Sequence, residues 1–189
     1  MREKNLDNLE FSCDTQELAT FVLDALADHK PEHYKQHVLV LPQGGQVNAL
    51  APPAGYEIAA IDTLFAERLV HIENRDVLLN DITKTWGGMP QFLQQGMGFA
   101  ALQGNEICSF ALTHFRYQNT HCVGVETLKP HRRKGLCNHL SSLLCQRIVA
   151  QGGHVQWDCN IENIGSNKTA QKLGFVVSRP YAIYWFPVA

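Results

Sequence analysis

The chain has 189 residues, of which 45% are hydrophobic, so it is long and apolar enough to build one ordinary domain with a sizeable core. Its formal net charge of -2 argues against a generally basic nucleic-acid-binding protein. No apolar run approaches the roughly 18 residues that a membrane helix needs, and the N-terminus lacks a hydrophobic signal core. We therefore predict a cytoplasmic protein whose partners include neither nucleic acid nor a membrane.

The cysteines and histidines carry no metal-binding pattern. The six cysteines form no C-x-x-C pair and mostly lie in apolar segments, which is typical of reduced, buried thiols. The nine histidines lack ligand spacings such as H-E-x-x-H. The sequence therefore predicts no metal site.

The first half of the chain predicts short helices and two strands. A helix capped by Asp14 or Thr15 should run to about residue 29, where Pro31 stops it. A loop rich in proline and glycine follows the first strand and ends near Tyr56. The other predicted elements are strands over 37–41 and 57–61, a weak helix capped by Asp62, and helices over 75–86 and 90–95.

From Gly96 onward the pattern changes to that of an α/β domain with a mixed sheet. Two β runs separated by residues 103–106 predict a hairpin, and a long helix with regular leucine spacing follows the third strand. The predicted elements are strands over 98–102, 107–117, 122–128 and 154–159, helices over 135–151 and 166–173, and two short β pieces around Pro180 within 175–186.

The most informative stretch is residues 125–144, where a strand, a basic turn, a glycine and a long helix follow one another. The first N–H groups of a helix have no intrahelical partner and lie at its positive end. Gly135 would let a phosphate approach them, and Arg132, Arg133 and Lys134 add positive charge. This pattern predicts an anion site suited to a pyrophosphate, although a solvated basic helix start fits the fragment equally well. The Walker and dinucleotide fingerprints are both absent.

Two motifs resemble those of the GNAT acetyltransferases. R-R-K-G-L-C at 132–137 is similar to the family's R/Q-x-x-G-x-G/A signature, with Cys137 in the final small position. N-I-G-S-N-K-T-A-Q-K-L-G-F at 163–175 is similar to the second signature, an asparagine-led helix that ends in Lys-Leu-Gly-Phe. The V-E-T and W-D-C triplets narrow the resemblance to the zwittermicin A resistance branch. The resemblance extends over residues 96–186 and is weak before residue 96.

The resemblance implies an α/β fold with a mixed, mostly antiparallel central sheet flanked by helices. Residues 96–189 would form the acyl-coenzyme A-binding core, and residues 1–95 would complete the same domain as the acceptor-side wall. The implied activity is transfer of an acetyl group from acetyl-CoA to an amine of a small molecule, by direct attack in a ternary complex and without a metal.

The resemblance also assigns residues to the coenzyme. Backbone N–H groups of the basic turn would hold its pyrophosphate, and the strand before the turn would pair with its pantetheine arm. The Thr127 amide would donate to the thioester oxygen, where charge develops. The implied coenzyme-binding residues are Val125, Thr127, Arg132, Arg133, Lys134, Gly135, Leu136, Cys137, Asn163 and Ser166. Thr127 as an ordinary strand residue and Asn163 as a helix N-cap are the plain alternatives.

Two residues are candidates for the general base that takes a proton from the amine. Glu126 lies beside Thr127, whereas His121 stands near the strand start, where many family members carry a glutamate. Because side chains alternate along a strand, Glu126 should point opposite to Val125 and Thr127, while His121 shares their face unless a β-bulge intervenes.

The family's general-acid tyrosine has no counterpart at the matching position, which is Ala170. Tyr181 or Tyr184 could replace it, or water could protonate the departing thiolate. The acceptor pocket should be flanked by the hairpin and walled by the preceding helices. The side chains expected there are Phe110, His114, Phe115, Tyr117, Trp86 and Phe92.

Two other functions fit part of the sequence. A non-catalytic coenzyme A-binding module would keep the fold but lack acid and base groups, in agreement with Ala170 and Cys122. A nucleic-acid-binding module would use residues 131–134, but the chain has no wider basic stripe. The sequence identifies neither the amine acceptor nor the oligomeric state, so a homodimer stays open beside a monomer.

Overall fold

The computed structural model describes residues 8–13, 15–42 and 45–187. Within them the chain forms an α/β fold in which one eight-stranded sheet carries helices on its faces. The strands are β1 (Asn8–Ser12), β2 (Glu32–Val40), β3 (Glu57–Ala60), β4 (Gly98–Gln103), β5 (Glu106–Tyr117), β6 (Thr120–Thr127), β7 (His154–Asn160) and β8 (Val176–Pro187). The helices are α1 (Gln16–Ala25), α2 (Thr63–Arg68), α3 (Asp76–Trp86), α4 (Met89–Gln95), α5 (Leu136–Ala150) and α6 (Ile164–Leu173).

The sheet has the strand order β1-β8-β2-β7-β6-β5-β4-β3. Its pairs are antiparallel except for β6 and β7, which are parallel and are joined through α5. The predicted mixed, mostly antiparallel sheet flanked by helices is therefore confirmed. Strands from the start of the chain are built into this sheet, since β2 lies between β7 and β8.

The parallel pair β6–β7 separates part of the way along its length. Thr120 to Cys122 pair with His154 to Gln156, and no further pairs follow toward the carboxyl ends. From Gln156 onward β7 pairs instead with β2 on its other side. The divergence leaves a gap in the middle of the sheet, between the second half of β6 and that of β7.

Two cores hold the helices against opposite faces of the sheet. One joins α5 to the inner strands and includes Leu140, Leu144 and Trp157, each at most 1% exposed. The other joins α2, α3 and α4 to β4 and β5, with Leu78 and Ile82 fully buried. Because burying one leucine or isoleucine contributes about 1.5–3 kcal/mol, these two clusters fix the strands around the gap.

The structure differs from the predicted elements in three places. β1 was not predicted, and β2 begins at Glu32 rather than at residue 37. The last segment is one continuous strand rather than two pieces around Pro180. Proline is tolerated there because β1 pairs with β8 only from Ile183 onward, and because the β2–β8 register shifts nearby, at Val38 and Leu39.

The remaining predicted elements agree with the structure within a few residues. Thr15 caps α1, since its hydroxyl accepts from the Leu18 N–H at 3.2 Å, and Asp62 caps α2 through the Phe65 N–H at 3.0 Å. The alternative cap, Asp14, lies outside the described residues. Among the helices of the described ranges, none has the length and apolar character needed to cross a membrane.

Candidate functional site

Two cavities meet at the gap between β6 and β7. The helix-side cavity, of about 610 Å³, lies between the basic turn, the first turn of α5 and the start of α6. The strand-side cavity, also of about 610 Å³, lies between β5, β6, β7, β2 and β8. Val125, Asn163 and Ser166 line both cavities. The two cavities therefore adjoin at these residues.

The basic turn gives the helix-side cavity the properties of an anion site. Gly135 is the N-cap of the 15-residue helix α5 and has φ 85°, a conformation in which glycine avoids steric strain. No side chain caps the helix, so its first N–H groups are left for a ligand. A Cβ at Gly135 would meet nothing within 4 Å, which shows open space over the turn. Arg132 and Arg133 also line this cavity.

Lys134 lies apart from this lining. Its ammonium group is 5.9 Å from the ring centroid of Tyr56, whose hydroxyl contacts Nδ1 of His131 at 3.0 Å. The other predicted residues of the turn, Leu136 and Cys137, line the cavity. Burial raises the pKa of the Cys137 thiol, which makes it a packing group rather than a thiolate nucleophile.

The backbone of β6 has unpaired groups that face the gap. The Leu128 N–H donates to the Cys108 carbonyl at 3.0 Å and so points toward β5. Because backbone groups alternate along a strand, the Thr127 and Val125 amides point the opposite way, toward β7. The Thr127 carbonyl accepts from Nε of Arg132 at 2.8 Å, which agrees with this direction. Both amides are thus available to a ligand in the gap.

The second motif begins at the gap between the two cavities. The Asn163 side chain caps α6 by accepting from the Ser166 N–H at 3.1 Å. The Ser166 hydroxyl in turn accepts from Nε1 of Trp157 at 2.9 Å. Trp157 is 1% exposed and belongs to the core under α5. The N-cap alternative for Asn163 is therefore fulfilled, and the residue lines both cavities as well.

The two candidate bases lie in different surroundings. The Glu126 carboxylate is half-exposed, lies 3.3 Å from Nη2 of Arg132 and lines the helix-side cavity only. His121 is 4% exposed, lines neither cavity and packs against the turn at Gly153. Burial, and secondarily the charge of Arg116, lower the pKa of His121. The structure therefore brings Glu126 near the basic turn and leaves His121 at the far end of β6.

The expected alternation along β6 holds, because its register is regular. The shift in the β5–β6 pair lies in β5, between Thr113 and Phe115. Glu126 therefore shares a face with Gly124, opposite to Val125.

The strand-side cavity is lined by polar and aromatic groups of several strands. The Tyr181 hydroxyl donates to Oε1 of Gln36 at 2.8 Å. Burial and, secondarily, the nearby Asp158 carboxylate raise the pKa of Tyr181 to about 12. Burial likewise raises the pKa of Asp158, although Nε2 of Gln156 donates to its carboxylate oxygens at 3.0 and 3.1 Å. Tyr34 completes this polar wall.

Only some of the side chains predicted to wall the acceptor pocket line the strand-side cavity. His114 and Phe115 line the cavity, but Phe110 is buried in the core under α2–α4 and Tyr117 is 71% exposed. The remaining predicted groups lie elsewhere: Trp86 packs on Phe92 and donates to the Thr113 carbonyl at 2.6 Å, and Tyr184 stacks on Phe11.

The other walls of the strand-side cavity are therefore formed by strands rather than by the predicted helices. The alternation of Tyr34 and Gln36 along β2 is the sequence signal that could have revealed them. Ala170, in the position of the family's tyrosine, is fully buried.

The fold and the paired motifs are those of an acetyltransferase. The chain belongs to the GNAT acetyltransferase family, whose family model matches residues 2–184. Two relatives from Bacillus subtilis strain 168 are similar in sequence. The uncharacterized N-acetyltransferase YdfB is 33% identical over 100 residues, which are 53% of this chain and 38% of the relative. The uncharacterized N-acetyltransferase YjdG is 34% identical over 64 residues, 33% of this chain and 38% of the relative.

Solved structures agree on the fold. A GCN5-related N-acetyltransferase-like protein from Streptococcus suis 89/1591 superimposes with a TM-score of 0.73 at 18% identity, covering 95% of this chain and 71% of that one. A GCN5-related N-acetyltransferase from Kribbella flavida gives a TM-score of 0.63 at 18% identity, covering 96% and 68%. The curated relatives are matched over only 38% of their own length, so their sequences extend well beyond the similarity.

Proposed function

We propose that the protein transfers the acetyl group of acetyl-CoA to an amine of a small molecule by direct attack in a ternary complex. The observation that carries this proposal is the meeting of the two cavities at Val125, Asn163 and Ser166. One cavity suits an anionic coenzyme and the other suits a polar acceptor. GNAT folds bind acetyl-CoA in general, and the groups of this chain fit such a ligand.

The pyrophosphate would lie over Gly135, against the first N–H groups of α5 and beside Arg132 and Arg133. Helix N-termini of this kind favour phosphates through both their free donors and their dipole. The pantetheine arm would run along the gap and pair with the Val125 and Thr127 amides, beside Asn163 and Ser166. When bound, acetyl-CoA supplies an activated acyl group.

The protein's own groups would then stabilise the transferring acyl carbon. The Thr127 amide, which faces the gap, would donate to the oxygen on which charge develops. Tyr181 is a suitable acid for the departing sulfur, since a phenol whose pKa is raised to about 12 stays protonated at neutral pH. Water is the alternative proton source.

The acceptor would occupy the strand-side cavity. Its carboxylates and hydroxyls, including Asp158, Tyr34 and Tyr181, suit a small amine that also carries polar groups. The V-E-T and W-D-C resemblance to the zwittermicin A resistance branch makes an amine-bearing metabolite or antibiotic the first class to test. Family membership alone does not select the acceptor, because one fold serves many chemistries.

Coenzyme binding and turnover test the proposal separately. Acetyl-CoA should bind in calorimetry and raise the melting temperature, since a ligand at a hundredfold excess over its Kd stabilises the folded state by about 2.7 kcal/mol. Release of free thiol should then be measured with a panel of aliphatic amines, amino sugars and polyamines. Absence of binding would refute the coenzyme site, whereas binding without turnover on any amine would favour the non-catalytic module.

A further inference from the structure

A β-bulge in β5 turns one histidine toward the strand-side cavity. Thr113 pairs with Val123 and Phe115 pairs with Cys122, so His114 is an extra residue without a partner in β6. Bulges of this kind bend the strand, re-aim a side chain and are over-represented beside active sites. His114 is one of the residues that line the cavity.

Gly124 leaves the space that this imidazole occupies. A Cβ built at Gly124 would lie 1.8 Å from Cε1 of His114 and 1.9 Å from its Nε2. Non-bonded atoms cannot approach so closely, so any side chain at position 124 would displace the ring. The imidazole therefore lies against the backbone of β6 at Gly124. The next residue is Val125, where the two cavities meet, and its Cα is about 3.8 Å from that of Gly124.

Asp81 of α3 contacts the same ring. Its Oδ1 is 3.0 Å from Nε2 of His114, and both atoms are buried. The distance is that of an ion pair, although the two groups are not aligned as a hydrogen bond. The His114 side chain is 32% exposed, and within the described part of the chain its Nδ1 is neither buried nor hydrogen-bonded. Nε2 thus faces a carboxylate while Nδ1 is open.

We propose that His114 is the general base of the acetyl transfer and that Asp81 is the residue that positions it. This inference rests on the function proposed above. An imidazole oriented by a carboxylate on one nitrogen and open on the other is suited to take a proton from a nucleophile. The same carboxylate stabilises the imidazolium that forms.

In the proposed step Nδ1 of His114 accepts the proton that the amine nitrogen loses as its bond to the acyl carbon forms. The C–S bond of the thioester breaks, and its electron pair leaves with the sulfur. The thiolate takes one proton from water or from Tyr181, which regains it from solvent. The imidazolium returns its proton to solvent, so the step needs no further reactant.

The other charged groups of the two cavities suit different tasks. Asp158 already accepts from Gln156 and is placed to attract the cationic form of the acceptor. Glu126 faces Arg132 in the other cavity. Asp81 from α3 contacts His114, and the titratable groups that line the cavity with it are Glu10, Tyr34, Cys122, Asp158 and Tyr181. Because several titratable groups share the cavity, a comparison of variants is a better test than a single pH curve.

The kinetic experiment compares wild type with His114→Gln, Asp81→Asn and the control His71→Gln, which alters an exposed histidine outside both cavities. With the best amine of the panel, His114→Gln should lower kcat by roughly 10² to 10⁴ while acetyl-CoA affinity and melting temperature stay near wild type. Asp81→Asn should give a smaller loss, and His71→Gln none.

The outcomes separate this inference from the proposed function. Wild-type turnover in a folded His114→Gln protein would overturn the role of His114 while leaving acetyl transfer intact. Failure of all proteins, wild type included, to bind acetyl-CoA would instead overturn the proposed function. Gly124→Ala gives a second route, because it displaces the ring without changing His114, and it should lower kcat as well.

A spectroscopic measurement needs no acceptor. Long-range ¹H–¹⁵N correlation spectra should show neutral His114 with its proton on Nε2, the nitrogen that faces Asp81, and Asp81→Asn should reduce the population of this tautomer. A neutral ring protonated on Nδ1 in wild type would contradict the proposed geometry whatever the kinetics show.

Discussion

Nε1 of Trp157 donates to the Ser166 hydroxyl at 2.9 Å and so joins the W-D-C strand to the first turn of α6. The indole is 1% exposed, which means that its N–H has no access to solvent as an alternative partner. Ser166 also lines both cavities. One hydrogen bond therefore couples the core under α5 to the point at which the two cavities meet.

Ser166→Ala should destabilise the fold by about 1–3 kcal/mol, because it leaves the buried indole N–H unsatisfied. Urea unfolding monitored by tryptophan fluorescence gives the measurement. Trp157→Phe and the double variant complete a mutant cycle. Strictly additive losses in that cycle would show that the two side chains are not coupled.

Substitutions at Gly135 should separate charge from shape in coenzyme binding. Asn and Asp are similar in size and both tolerate the left-handed conformation, so Gly135→Asn is the matched control for Gly135→Asp. The carboxylate would face the pyrophosphate, and we expect it to weaken acetyl-CoA binding about tenfold or more relative to Asn, equivalent to about 1.4 kcal/mol. Calorimetry at equal salt measures the difference. Equal affinities would place the pyrophosphate elsewhere.

Glu126→Gln should test the carboxylate that faces the basic turn. Removing its charge frees Arg132 from the contact at 3.3 Å, so acetyl-CoA should bind more tightly at low salt, with an advantage that fades as salt screens it. Glu67→Gln, on the exposed surface of α2, serves as the control. A loss of turnover of roughly 10² to 10⁴ without an affinity change would instead assign the base role to Glu126.

His121 should contribute to the pH dependence of stability. Its pKa in the folded protein is lowered from 6.5, so the unfolded chain binds the proton more readily. The free energy of unfolding should therefore be highest above pH 6.5 and fall as the pH drops from there toward the folded pKa. His121→Phe should remove part of that loss in urea titrations between pH 7.5 and 5. Arg116→Gln should narrow the pH range over which stability is lost, because the Arg116 charge is one cause of the lowered pKa of His121.

Local signals predicted the two helix starts that border the helix-side cavity. Gly135 before a long helix and Asn163 as the N-cap of a short one are recognisable from a few neighbouring residues. The strand-side cavity depends on pairing between distant segments, which no local pattern records. Tyr34 lies in a polar stretch that becomes a strand because β8 pairs with it, whereas β7 pairs with β2 only from Gln36 onward. The bulge that exposes His114 is likewise set by register rather than by composition.

Because β2 is inserted between β7 and β8, the residues of the two cavities are separated by very different distances along the chain. The helix-side cavity is built from residues 125–172, which follow one another closely. The strand-side cavity needs Glu10 and Tyr34 beside Tyr181, across most of the chain. Closing such long loops costs entropy before their contacts form, so we expect the strand-side cavity to assemble last. The same separation would let selection change the strand-side cavity through β1, β2 and β8 while the basic turn stays as it is.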